Sequence, residues 1–139
     1  MEEKTPLDPT LKVIDTRTAT IQKRADGIVC VRTKNDVNVT TEDSIRTHDV
    51  IRSLANGGKV PLLVIAGSGG TMDDEVKERW LDRKKDRPVM AEAIVTGTLA
   101  HNILVNFSIS FYRLDRPMKM FMDEVRAVIW LKGRIEREI

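Results

Sequence analysis

Between Pro117 and Leu131 the chain passes directly from one kind of local structure into another, and that transition limits the folds open to it. Pro117-Met-Lys-Met-Phe121 alternates as a strand does, with successive side chains on opposite faces. Met122-Asp-Glu then supplies acidic residues that suit a helix N-terminus. Helical spacing groups Ala127, Trp130 and Leu131 on one inward side. A strand that feeds a helix without a linker is the closing unit of a strand–helix series, and earlier units of the same kind are readable upstream.

Residues 1–16 contain Pro6 and Pro9 and alternate weakly, so they read as an N-terminal arm ahead of a single domain at 17–139. Ala19–Arg24 and Ile28–Lys34 are strand-like runs separated by Asp26-Gly27, a signal for an antiparallel hairpin with a type I′ turn. Thr40-Thr-Glu-Asp43 offers a capping hydroxyl and first-turn acids to a helix. Ile45, Val50, Ile51, Leu54 and Ala55 form its apolar side, and Asn56-Gly57-Gly58 stops it. The continuous apolar run Val60–Ala66 suits a central strand buried on both faces. Thr71-Met-Asp-Asp74 carries a second capping signature, for a helix running to about Lys85 with Val76, Trp80 and Leu81 inward. Pro88 ends that helix, and Val89–Thr96 follows as a strand with Ala91, Ala93 and Val95 on one face. Residues 99–112 read as a third helix, 118–122 as a strand and 123 onward as the last helix. The order predicts an α/β fold (α+β-like): a mixed, mostly parallel sheet of about five strands, with an N-terminal antiparallel hairpin and about four helices.

Charge is nearly balanced, 23 Lys+Arg against 21 Asp+Glu in 139 residues, which speaks against a nucleic-acid partner. The densest basic cluster, Arg83-Lys84-Lys85 with Arg87, is interrupted by Asp82 and Asp86 and reads as a solvated helix end. Cys30 has no second cysteine to pair with, and its setting in Ile28-Val29-Cys30-Val31 suits a small buried side chain in a reducing, cytoplasmic compartment. Met1-Glu-Glu-Lys-Thr-Pro6 lacks the apolar stretch of a signal peptide. No apolar run approaches the roughly 20 residues needed to span a bilayer, so integral membrane association is not expected.

Gly67-Ser68-Gly69-Gly70-Thr71 is the loop that invites chemistry. It follows the most apolar strand and precedes a helix, where backbone N–H groups favour an anion, so Ser68, Gly69, Gly70 and Thr71 form a candidate anion or phosphorylation loop. Against this, no Gly-Lys-Ser/Thr follows, and Asp73 and Asp74 place like charge beside any phosphate. Neither His48 nor His101 stands near Ser68 in sequence as a base, and the spread of histidine and cysteine gives no metal-ligand spacing. No catalytic, cofactor or metal residue is assigned on this basis. The third helix carries two apolar stripes: Ala100, Ile103, Leu104, Phe107, Phe111 and Leu114 on one side, Val105, Ile109 and Tyr112 on another. The second stripe is the candidate interface, for a homodimer or for the N-terminal arm as cover.

Taken in order, these segments resemble the SpoIIAA-like (STAS/SEC14-type) domains over about residues 18–132. The resemblance rests on the element order and on Ala91-x-Ala93, Asn106-Phe107 with Phe111, Pro117-x-Lys119-x-Phe121 and Ala127-x-x-Trp130-Leu131. It implies a small bacterial, non-enzymatic domain acting through a regulatory protein partner or through self-association. Some relatives are switched by phosphorylation of a serine in Asp-Ser-Ser/Thr-Gly. Here that stretch reads Ala66-Gly67-Ser68-Gly69, with no Asp before the serine, and stoichiometric phosphorylation is not expected. The SEC14 side of the resemblance implies the alternative of a carrier for a small apolar or anionic ligand.

Overall fold

The computed structural model describes residues 11–81, 87–97, 102, 103, 105, 106, 109 and 116–138, without the side chains of Trp80, Leu81 and Glu138. Its main sheet has the order β1-β2-β3-β5-β7-β8, built from Val13–Asp15, Ala19–Lys23, Val29–Thr33, Val60–Ile65, Val89–Val95 and Met118–Phe121. β1, β2 and β3 pair antiparallel, and β3, β5, β7 and β8 pair parallel. A second, two-stranded parallel ribbon joins β4 (Asn38–Val39) to β6 (Thr71–Met72). The helices α1 (Thr41–Ala55), α2 (Asp74–Leu81) and α3 (Glu124–Glu138) connect or follow the strands. Asn102, Ile103, Val105, Asn106 and Ile109 are helical too, inside the predicted 99–112 segment.

The mixed sheet with an antiparallel front is as the sequence predicts, but the counts differ. The sixth strand of the main sheet is β1, inside the segment read as an arm: Val13, Ile14 and Asp15 register against Gln22, Ile21 and Thr20. Three residues of weak alternation carry too little pattern to announce an edge strand. The hairpin is present, but its turn is not type I′. Gly27 N–H donates to Arg24 O at 3.0 Å, and Arg24 N–H to Ile28 O at 2.8 Å. Gly27 has φ +88, whereas Asp26 is not among the non-glycine residues with positive φ. One left-handed glycine at the last position of the four-residue turn 24–27 suffices, with Asp26 Oδ1 accepting from Ile28 N–H at 3.2 Å.

α1 begins as predicted. Thr40 Oγ1 accepts from Asp43 N–H while Asp43 Oδ2 accepts from Thr40 N–H, a reciprocal cap, and left-handed Asn56 ends the helix. Val50 and Ile51 are buried against Ala19, Ile21, Val29, Val31, Val60 and Leu62. Ile45 is instead 42% exposed, one turn short of the contact. The opposite sheet face is covered by α3, whose Ala127 and Leu131 are fully buried over Ile28, Cys30, Leu63, Ile65, Ala91 and Ala93. β5 thus lies between two cores, as its unbroken apolar run requires.

Trp130 is half-buried rather than interior. Its ring meets Phe121 at 5.7 Å, and the Arg134 guanidinium lies 5.3 Å over it. α2 opens at Asp74, because Thr71 and Met72 are spent as β6 instead of a cap. Val76 is buried as expected, whereas the side chains of Trp80 and Leu81 lie outside the described part.

Candidate functional site

The Gly67–Thr71 loop leaves the C-terminal end of β5 and lies against the segment between β3 and β4. Contact is close: a Cβ on Gly67 would sit 2.4 Å from Lys34 O, and one on Gly70 2.8 Å from Val37 O. Asp36 N–H donates to Ser68 O at 2.9 Å, and Ser68 N–H donates to Asn35 Oδ1 at 2.9 Å. Thr71 N–H donates to Val37 O at 3.0 Å, and Thr71 Oγ1 to Asn38 Oδ1 at 2.5 Å. Asp73 N–H, at the mouth of α2, donates to Val39 O at 3.0 Å. Three donors that an anion would use (at Ser68, Thr71 and Asp73) therefore already serve protein oxygens. The glycines here permit backbone to approach backbone. The loop joins two strand ends; beside its amides and hydroxyls stand the Asp36 carboxylate, against Gly69, and that of Asp73, which accepts from Asn38 Nδ2 at 3.1 Å.

A different cluster of polar groups lies on the α1 face of the sheet. Glu92 interrupts the apolar run of β7, in register with Leu62 on one side and Met118 on the other. Arg116 Nε donates to its Oε1 at 2.9 Å, with both side chains buried. Arg87, read in the sequence as part of a solvated helix end, is buried too; residues 82–86 of that cluster lie outside the described part. His48 of α1 belongs to the same surroundings. Burial first, and then the charges of Arg87, Arg79, Arg116 and Arg52, lower its pKa to about 4, so the ring is neutral. The sequence signal for this layer was a carboxylate inside a seven-residue strand of otherwise apolar side chains. Cys30 is sealed in the opposite core, where burial pushes the thiol up to about 11 and removes it as a nucleophile at neutral pH. Among the described residues, no group of three or more His, Cys, Asp or Glu could hold a metal ion.

Of the second stripe predicted for the third helix, Val105 and Ile109 are half-buried, and Tyr112 lies outside the described residues. Of the first stripe, Ala100, Leu104, Phe107, Phe111 and Leu114 lie outside them, as does His101. Ile103 is described and is 60% exposed, so it does not face the core as predicted. Asn102, its neighbour, is buried. Asn106 has a role that the sequence pattern did not disclose. Its Nδ2 donates to Met120 O at 3.1 Å, and its Oδ1 accepts from Met120 N–H at 2.9 Å. One amide side chain thus pairs with β8 along the edge of the sheet.

A family model described as a domain of unknown function, DUF7793, matches residues 21–134. The chain belongs to that family. Among solved structures, it is similar to an uncharacterised DUF3478-family protein with a SpoIIAA-like fold from Shewanella loihica PV-4. Identity is 14%, the TM-score is 0.55, and the match covers 87% of this chain and 91% of that one. This likeness gives the fold, which is SpoIIAA-like as the sequence resemblance implies. No curated protein matches the chain. Among the described residues, no helix is long and apolar enough to cross a membrane.

Proposed function

We propose that this domain is a non-enzymatic regulatory or protein-interaction module, working in the cytoplasm through partner binding or self-association. The observation that supports this reading best is the placement of aliphatic side chains on helical surfaces. Val125 and Ile129 are each 64% exposed and Ile103 is 60% exposed, the most exposed large hydrophobic side chains among the described residues. Aliphatic side chains left in water in this way are suited to being covered by another protein surface. The hydrogen bonding of the Gly67–Thr71 loop argues in the same direction, because its backbone donors at Ser68, Thr71 and Asp73 already serve oxygens of the chain itself.

Self-association would use Val105, Ile109 and Tyr112, the stripe facing away from the first. Light scattering after size exclusion tests it: a dimeric parent that Ile109→Asp converts to a folded monomer is the expected result, since an unpaired carboxylate is costly to bury. A monomeric parent removes self-association and leaves a separate protein partner.

A further inference from the structure

Resting on the interaction-domain reading, we infer that the outer face of α3 is a docking surface for an acidic amphipathic helix of a partner protein. Val125 and Ile129, four residues apart on α3, are each 64% exposed, and Met122, two residues ahead of the helix, is 46% exposed. The opposite side of the helix is committed to the core through Ala127 and Leu131. α3 is therefore apolar on two sides, and the outward one has the spacing by which a helix is read by another helix or a groove.

Charge identifies the occupant. Arg126, Lys132 and Arg137 lie beside the aliphatic strip and are exposed, and the acids near them are Glu136, Asp123 and Asp26. Arg126 reaches Asp123 at 3.5 Å and Lys132 reaches Asp26 at 3.8 Å, long pairs in water that exchange readily for a partner's carboxylates. A second copy is a poor occupant: antiparallel packing centred on Ile129 sets Arg126 of one chain level with Lys132 of the other. Nucleic acid is poorer still, because stacking needs open rings. Trp130 and Phe121 are half-buried, with Arg134 and Lys119 already 5.3 and 5.4 Å over them. An acidic helix with an apolar edge satisfies the strip and its flanks together.

Synthetic amphipathic helices with one leucine edge and polar positions filled by Glu, Gln or Lys provide the test, with binding read by fluorescence anisotropy on the whole protein. The Glu peptide should bind tightest and weaken with added salt. Val125→Asp and Ile129→Asp should each weaken it about tenfold or more, and Arg126→Glu should reverse the preference toward the Lys peptide. Both aspartate sites are exposed, so unchanged thermal melts confirm that the fold survives. Absence of Glu-peptide binding, equal binding of the Lys peptide, or binding indifferent to Val125→Asp and Ile129→Asp overturns the inference. So does α3-dependent binding to phosphatidylglycerol vesicles in place of the peptide, or a dimer abolished by Ile129→Asp. A dimer separated by Ile109→Asp, with no peptide binding, would overturn this inference while leaving the interaction-domain reading standing.

Discussion

Arg116 donates through Nε to Glu92 at 2.9 Å, and their side chains are 0% and 5% exposed, so an ion pair is enclosed within the α1 face of the sheet. Each charge lost its water on folding, and mutual attraction offsets that only while both partners stay. Glu92→Ala leaves a guanidinium in a dry place and should cost about 3–5 kcal/mol, the usual range for halving a buried pair. Urea melts of the variant measure it. A loss under about 0.5 kcal/mol, typical of a surface change, would mean that the pair is wet in solution.

Gly67 and Gly133 make opposite demands on a methyl group. At Gly67 a Cβ meets backbone on the neighbouring segment, 2.4 Å from Lys34 O and 2.7 Å from Thr33 O, and backbone cannot swing aside as a side chain does. Gly67→Ala should therefore destabilise by about 3 kcal/mol, at the upper end of ordinary overpacking. At Gly133, inside α3, a Cβ meets nothing within 4 Å. Gly133→Ala should stabilise by up to about 1 kcal/mol through helix propensity. Thermal melts that move both variants in one direction would contradict this account.

Much of the fold was legible because local and long-range signals agree. The Thr40 cap, the Asn56 stop and the unbroken run of β5 each have a local cause, and the structure places each where that cause demands. The sequence was less informative where a residue's role depends on a distant segment. Thr71 and Met72 look like a helix cap until β4 arrives from 33 residues earlier in the chain to pair with them. Arg87 looks solvated until the α1 face closes around it, and Trp130 looks interior until its place at the margin of the second core is known. Neither the bond from Asn106 to β8 nor that from Glu92 to Arg116 has a periodicity to betray it. For the site, the sequence singled out the Gly67–Thr71 loop, but its Gly67 and Gly70 answer to neighbouring backbone that no motif could reveal.

His48 makes acid sensitivity a property of the native state. Its folded pKa of about 4 lies below the ordinary 6.5, because burial and four arginines disfavour the imidazolium. Between those two values the unfolded chain takes up a proton that the folded chain refuses. The stability at stake is complete above about pH 6.5 and is lost as pH falls toward 4, with a slope of at most about 1.4 kcal/mol per unit. Asp43, whose carboxyl Arg17 holds well below the usual carboxylate range, adds its own loss only at lower pH. His48→Gln should flatten the stability curve between pH 6.5 and 4 while leaving the steeper fall below it. Parallel urea melts of parent and variant across that window decide it, and two parallel curves would remove His48 as the cause.

Asn106 protects a sheet edge with a single side chain. β8 is the last strand of the main sheet, and an edge strand offers backbone donors and acceptors to any chain that can pair with them. Met120 would be such a point, but the Asn106 amide accepts from its N–H and donates to its carbonyl, at 2.9 and 3.1 Å. Asn106→Ala removes both bonds and should cost about 1–3 kcal/mol, depending on how well water replaces them. Asn106→Asp keeps an acceptor for the N–H but sets a carboxylate against the Met120 carbonyl, so at neutral pH it should not restore the parent's stability. The specific readout is amide hydrogen exchange at Met120, which should accelerate in Asn106→Ala well beyond the change at the buried β5 amides. Unchanged protection at Met120 would show that something other than Asn106 covers this edge.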